Sequence, residues 1–393
     1  MSAPRLLPAR GLLAGALLVA SATLAVAAPP PWEFKDGDRV VFVGDTFIER
    51  AQRYGYLETA LTLANADKRV TFRNLGWSGD TVRGLSRAGF DPPEAGFRQL
   101  VQQVTDAQPT VLVVGYGMAE SFDGEAGLPR FVEGYNAFLD AVASLKARLV
   151  LMSPLPHAKM PPPLPDPTAH DRDLTLYARA IRSIAEARGA AFVNVYGPFA
   201  QWYEPMTMER RASLTDDGIH LNGLGYWTLA GFVGAGYVQA PIRGGALGVA
   251  TIETHPIPNP VADRPGEAAR LQRFRIKALA PGTYSLVRDG RALATASAEE
   301  WAGAGRGVPF GPESDKFEEL RKTIVAKNRL FFYRWRPQNM TYLFGFRKHE
   351  QGQNAVEVPR FDPLVEAKER EIAELLKTIP HTYELIREPE SAR

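Results

Sequence analysis

Residues 39–46 read Arg-Val-Val-Phe-Val-Gly-Asp-Thr, and this run decides the fold. Val40 to Val43 show no polar alternation, which describes a short strand buried on both faces. The run stops at Gly44-Asp45 and helical spacing follows at once, with Ile48, Ala51, Leu57 and Leu61 near one face of residues 47–64. The alternation then continues down the chain. Residues 70–72, 110–114, 148–152 and 191–195 are strand-like; residues 95–107, 127–146 and 172–188 are helical, and a last helix follows His220. Short apolar strands separated by helices predict an α/β unit over 35–240, a three-layer α/β/α sandwich with a parallel, flavodoxin-like sheet.

In such sheets ligands bind beyond the carboxyl ends of the strands. The polar clusters of this sequence fall there. Gly44-Asp45-Thr46 turns from strand into helix and puts a hydroxyl at a helix N-terminus, where backbone N–H groups favour negative charge. Asn74-Leu-Gly-Trp-Ser-Gly-Asp80 follows the second strand, and its glycines allow backbone to approach a ligand. Gly115-Tyr-Gly-Met-Ala-Glu-Ser-Phe122 follows the third. Asp217-Gly-Ile-His220 precedes the last helix and couples a carboxylate to an imidazole. Hydroxyl, imidazole and orienting carboxylate are the parts of an acyl-transfer site.

In order and spacing, these four blocks resemble those of the SGNH/GDSL hydrolases, across about half the chain. The resemblance implies a nucleophile at Thr46, oriented base chemistry from Asp217 and His220, and an oxyanion hole built from the backbone N–H groups of Thr46 and Gly79. It implies no metal and no organic cofactor. Two positions depart from the family pattern. Thr46 stands where the family has serine, and its extra methyl restricts χ1. Ala119 stands where the family has an asparagine donor, and losing one such donor costs roughly 10²–10³ in rate. Three outcomes remain open: a specialised hydrolase using Thr46, a water activated by His220, or a silent glycan-binding or scaffold module. Trp77 is a candidate sugar-stacking platform and Glu120 a second candidate substrate contact, each weighed against a purely structural role. In the enzyme reading the substrate is a small-molecule or polysaccharide ester, carbohydrate O-acyl esters first, and Thr46 Oγ1 lies within hydrogen-bonding reach of His220.

Composition bounds the rest. A formal charge of +2 implies no partner globally. Residues 1–28 read as an export signal, with Arg5 and Arg10, an apolar run from Gly11 to Val26 and a small-residue site at Ala25-Val-Ala27. A periplasmic or secreted protein is therefore expected, with no membrane span after cleavage. The chain has no cysteine, which excludes thiolate catalysis and disulfides, and only six histidines. The oligomeric state is not legible.

Residues 245–393 read as a separate α+β extension. They contain an alternating strand at 273–278, a hairpin turning at Asp289-Gly290, and helices starting near Ser314 and Asp362. Residues 321–348 hold eight Lys/Arg, no acidic residue and seven interleaved aromatics. Export argues against nucleic acid. The structural reading is paired strands with aromatics inside and basic residues outside. The functional reading has part of 328–354 bordering the Thr46 and Trp77 loops, with Arg334, Arg336, Arg347 or His349 facing the site.

Overall fold

The structure, a computed structural model, describes residues 32–233, 236–243, 248–254, 271–303, 305–309, 314–377 and 382–389. The export-signal expectation falls on residues outside this set, as do His255 and His381.

Five parallel strands, β1 Arg39–Gly44, β2 Thr71–Asn74, β3 Val111–Gly115, β4 Arg148–Met152 and β5 Ala191–Val193, form a sheet of order β2-β1-β3-β4-β5. The apolar run explains the layering. Val40 and Phe42 join one buried cluster while Val41 and Val43 join the other, because successive side chains point to opposite faces. Helices α1 Thr46–Tyr54, α2 Tyr56–Ala64 and later α8 Gly223–Val233 cover the first face; α3 Pro93–Ala107, α4 Gly124–Ala141 and α5 Thr168–Arg188 cover the second. The short α6 Tyr196–Tyr203 and α7 Met208–Ala212 lead to the last block. The three-layer α/β expectation holds, with one local difference. The helical segment 47–64 is two helices, broken at Gly55, whose left-handed backbone closes α1 with a bond to Ala51 O.

The extension carries more sheet than the sequence suggests. Strands β6 Gly236–Arg243, β7 Gly248–Thr254, β8 Leu271–Ile276, β9 Thr283–Arg288, β10 Arg291–Ser297, β11 Arg306–Pro309 and β12 Tyr383–Arg387 form a seven-stranded sheet. The β9–β10 hairpin turns at Asp289 and Gly290, both at positive φ, as an Asp-Gly turn requires. Trp301 is fully buried in this second core and donates its indole N–H to Tyr284 O at 3.0 Å.

The basic aromatic stretch is helical, which corrects the expectation of strands. A helix spans Ser314–Trp335, followed by short turns and a second helix, Phe361–Leu376. Phe317, Leu320, Ile324, Lys327, Phe331 and Trp335 recur at helical spacing, and all face protein. This long helix lies along α1, α2 and β2. There the buried Lys327 ammonium pairs with Glu58 and donates to Phe72 O, and Arg321 donates to Tyr54 O at 2.7 Å. Arg73 of β2 pairs with Glu369 and lies over the Phe331 ring. Lys327 and Arg73 thus find carboxylates across the junction and Arg321 a carbonyl, as burial of charge demands.

Candidate active site

The carboxyl ends of β1, β2 and β3 bring three of the four blocks to one edge, where Gly44 pairs with Gly115 and Phe42 with Asn74. Asp45 caps α1 by accepting from Phe47 N–H at 3.0 Å, which directs the chain from strand into helix directly beneath Thr46. Its carboxyl is fully enclosed. Burial, reinforced by the nearby charge of Glu120, pushes its pKa up to about 8.

The second block folds back over α1. Asn74 donates to Ile48 O at 2.7 Å and accepts from Gly76 N–H at 2.8 Å. Gly76 sits where a Cβ would come within 2.2 Å of Glu49 N, so only glycine fits. The turn then delivers Gly79, at φ +69°, with its N–H donating to Thr46 Oγ1 at 2.9 Å. Asp80 anchors the far end of the loop. It is fully buried against Arg87 at 2.7 Å, and it also accepts from Tyr116 O–H at 2.9 Å and Ser86 N–H at 3.1 Å.

On the opposite side, Asp217 Oδ1 accepts from the backbone N–H groups of Ile219 and His220, and its Oδ2 meets His220 Nδ1 at 2.6 Å. Burial acts to raise the Asp217 pKa, but the hydrogen bonds from the His220 ring and backbone outweigh it and hold the carboxyl below its usual range. A carboxylate on Nδ1 leaves Nε2 as the basic nitrogen, which is the arrangement a general base needs.

Thr46 and Gly79 therefore meet, and Asp217 and His220 meet. Thr46 and His220 are not joined by a hydrogen bond among the described residues: Thr46 Oγ1 is instead engaged with Gly79 N–H. Glu120 bridges two loops, accepting from Val82 N–H at 2.8 Å and Gly117 N–H at 3.0 Å, and burial pushes its pKa up to about 7. Trp77 is half-buried, with the Arg336 guanidinium 3.6 Å from its ring centre and Trp335 edge-on at 5.8 Å. Arg334 pairs with Asp362 at 2.9 Å, and Arg347 pairs with Glu350 at 2.5 Å. Of the basic residues singled out in the extension, Arg336 is the one that reaches the second block.

Two residues that sequence reasoning passed over, Glu49 and His157, belong to this region. Glu49, one turn after Thr46, accepts from Ser78 N–H and pairs with Arg336 at 3.3 Å. Arg336 thus ties the extension to the loop that carries Gly79. His157, beyond β4, lines the same cleft as His220, Asp45 and Met118. Its position at a strand's carboxyl edge was the available signal. Among the described residues, no group of three or more His, Asp or Glu is arranged to hold a metal ion. Nor is any helix among them long and apolar enough to cross a membrane.

A parallel five-stranded sandwich with an Asp-His pair before its last helix and a hydroxyl at the end of β1 has the parts of an acylhydrolase-like esterase unit. Residues 42–228 match the GDSL-like lipase/acylhydrolase family. No curated protein matches the chain. Among solved structures, a gut microbial diltiazem-metabolizing enzyme is similar over 91% of this chain and 99% of its own, with a TM-score of 0.55 and 14% identity. The overall two-part fold thus recurs elsewhere. Axe2, an acetylxylan esterase from Geobacillus stearothermophilus, is similar over 50% of this chain and 91% of its own, at 19% identity and a TM-score of 0.38.

Proposed function

We propose that this protein is an exported hydrolase of O-acyl esters, carbohydrate esters first among them, working through Thr46, His220 and Asp217. The observation that carries the reading is the Asp217–His220 pair, at 2.6 Å, beside the Gly79 N–H that donates to Thr46 Oγ1 at 2.9 Å in the family's block order. In the reaction, Thr46 Oγ1 leaves Gly79 N–H and attacks the acyl carbon while its proton passes to His220 Nε2. The carbonyl oxygen gains the negative charge and takes the vacated Gly79 N–H and the Thr46 N–H. Collapse expels the alkoxide, which takes the proton from His220 and leaves as the alcohol. Water, deprotonated by His220, then attacks the acyl-threonine and releases the carboxylic acid. Asp217 stabilises the imidazolium in both halves. Phe122, 62% exposed near His157 and His170, offers an aromatic surface to a sugar ring.

A second reading, a silent glycan-binding or scaffold module, draws on the engagement of Thr46 with Gly79 and on the missing donor at Ala119. Hydrolysis of p-nitrophenyl acetate and of acetylated xylo-oligosaccharides by wild type, His220→Ala and Thr46→Ala separates the possibilities. The triad requires both variants to lose about 10³-fold or more in kcat. Loss in His220→Ala alone means that His220 activates water directly. A wild type no faster than His220→Ala, with glycan binding intact, means a binding module.

A further inference from the structure

His157 lines the cleft from the loop after β4. It is only 7% exposed, and its Nε2 is buried without a hydrogen-bond partner among the described residues. A buried imidazole nitrogen left unpaired costs stability unless a ligand or water meets it. Yet the surroundings fix the ring firmly. The His157 backbone N–H donates to Asp171 Oδ1 at 2.9 Å. Its ring stacks on His170, with centres 4.9 Å apart, and His170 stacks in turn on Phe122 at 4.1 Å. His170 is itself pinned. Ser121 gives its hydroxyl proton to Met118 O at 2.7 Å, so its oxygen accepts from His170 Nε2 at 3.0 Å. That proton direction also leaves the fully buried Ser121 hydroxyl with its proton committed.

The ring so held lines the cleft with His220, Asp45, Met118 and Phe47. Burial, with the neighbouring His170 and His220, lowers its pKa to about 4, so it is neutral wherever the enzyme works. A neutral, immobile imidazole offers one directed hydrogen bond and no charge to a bound group. Ala119 belongs to the same loop as Met118, Ser121 and Phe122, which hold the His157 stack.

We propose that His157 is a substrate-contacting residue whose Nε2 hydrogen-bonds an oxygen of the acyl group, the contact that Ala119 cannot make. This rests on the ester-hydrolase reading. Thr46, Gly79 and His220 supply the chemistry, and His157 fixes the acyl oxygen from the opposite wall.

The test pairs kinetics with a binding readout that needs no turnover. His157→Phe keeps the stacked ring and removes the nitrogen, whereas His157→Gln restores a donor at similar reach. In the full chain, His157→Phe lowers kcat/KM for p-nitrophenyl acetate about 10²-fold and His157→Gln recovers about tenfold of it, with unchanged thermal midpoints. Titration of the ¹⁵N-histidine-labelled wild type with acetate, the product, shifts the His157 Nε2 resonance saturably. An unmoved His157 resonance overturns the proposal, as does a His157→Phe enzyme within about threefold of wild type. Should the wild type prove inactive, the hydrolase reading fails and the titration alone decides whether His157 contacts a ligand. Should His157→Phe fail to fold, the titration and the loss in His157→Gln relative to wild type decide it.

Discussion

The two walls of the cleft differ in how their polar groups are spent. On the Gly79 wall, Asn74, Ser78, Asp80, Arg87 and Glu49 all have protein partners, and Arg336 seals the outside by covering Trp77. On the His220 side, Asp217 is saturated by His220 and Ile219, but among the described residues His157 Nε2 meets no partner and no hydrogen bond reaches His220 Nε2. The first wall is a scaffold that holds one N–H in place. The second keeps hydrogen-bonding capacity unused, which is where a substrate has something to gain. Thr46 Oγ1 is engaged with the scaffold through Gly79 N–H.

The comparison breaks most visibly if the scaffold wall is given back what the family pattern has. Thr46→Ser with Ala119→Asn returns an uncrowded hydroxyl and a side-chain donor together, and raises esterase kcat by at least about tenfold. An unchanged rate in a folded double variant means that the cleft serves another purpose. A smaller effect is expected from Arg336. Arg336→Ala removes a cation–π contact worth about 1 kcal/mol and loosens the Glu49–Ser78 link. It lowers kcat about threefold to tenfold with KM little changed, because the affected N–H acts on the transition state rather than on bound ester. Arg336→Lys keeps the charge but not the flat stack, and does not restore the rate. An Arg336→Ala enzyme with wild-type kcat separates the extension from the site.

The smallest effect concerns the floor beneath both walls. Asp45 has a folded pKa near 8, well above the unfolded value of 3.8. The folded state therefore binds the proton more tightly, and this stabilisation is complete below about pH 4 and lost as pH rises toward 8. Asn caps a helix as well as Asp does and never ionises. Thermal midpoints of Asp45→Asn and wild type should run close at pH 4 and separate by pH 8.5, with the wild type falling further. Parallel curves would mean that Asp45 is ionised throughout.

The parallel sheet was legible because its strands are buried on both faces, so runs such as Val40–Val43 carry no ambiguity of side. The block residues were legible because turn chemistry and catalytic residue types coincide at strand ends. The extension was harder. In Ser314–Trp335 the aromatics and basic residues mimic a two-residue alternation, while Phe317, Leu320, Ile324 and Phe331 set the helical period that prevails. The break at Gly55 hid inside continuous helical spacing. His157 was hard to single out for another reason. What marks it is the partner its Nε2 lacks in three dimensions, which no spacing in the chain encodes.

The central claim is that Thr46, despite leaning on Gly79, is the nucleophile of an acyl-transfer cleft. Incubation with diisopropyl fluorophosphate, followed by peptide mass spectrometry, tests it most directly. The reagent reports a hydroxyl activated by its neighbouring base. The account predicts a phosphoryl adduct on the peptide containing Thr46, formed in step with loss of esterase activity and absent from His220→Ala. Ester hydrolysis that continues undiminished with Thr46 unmodified would contradict it.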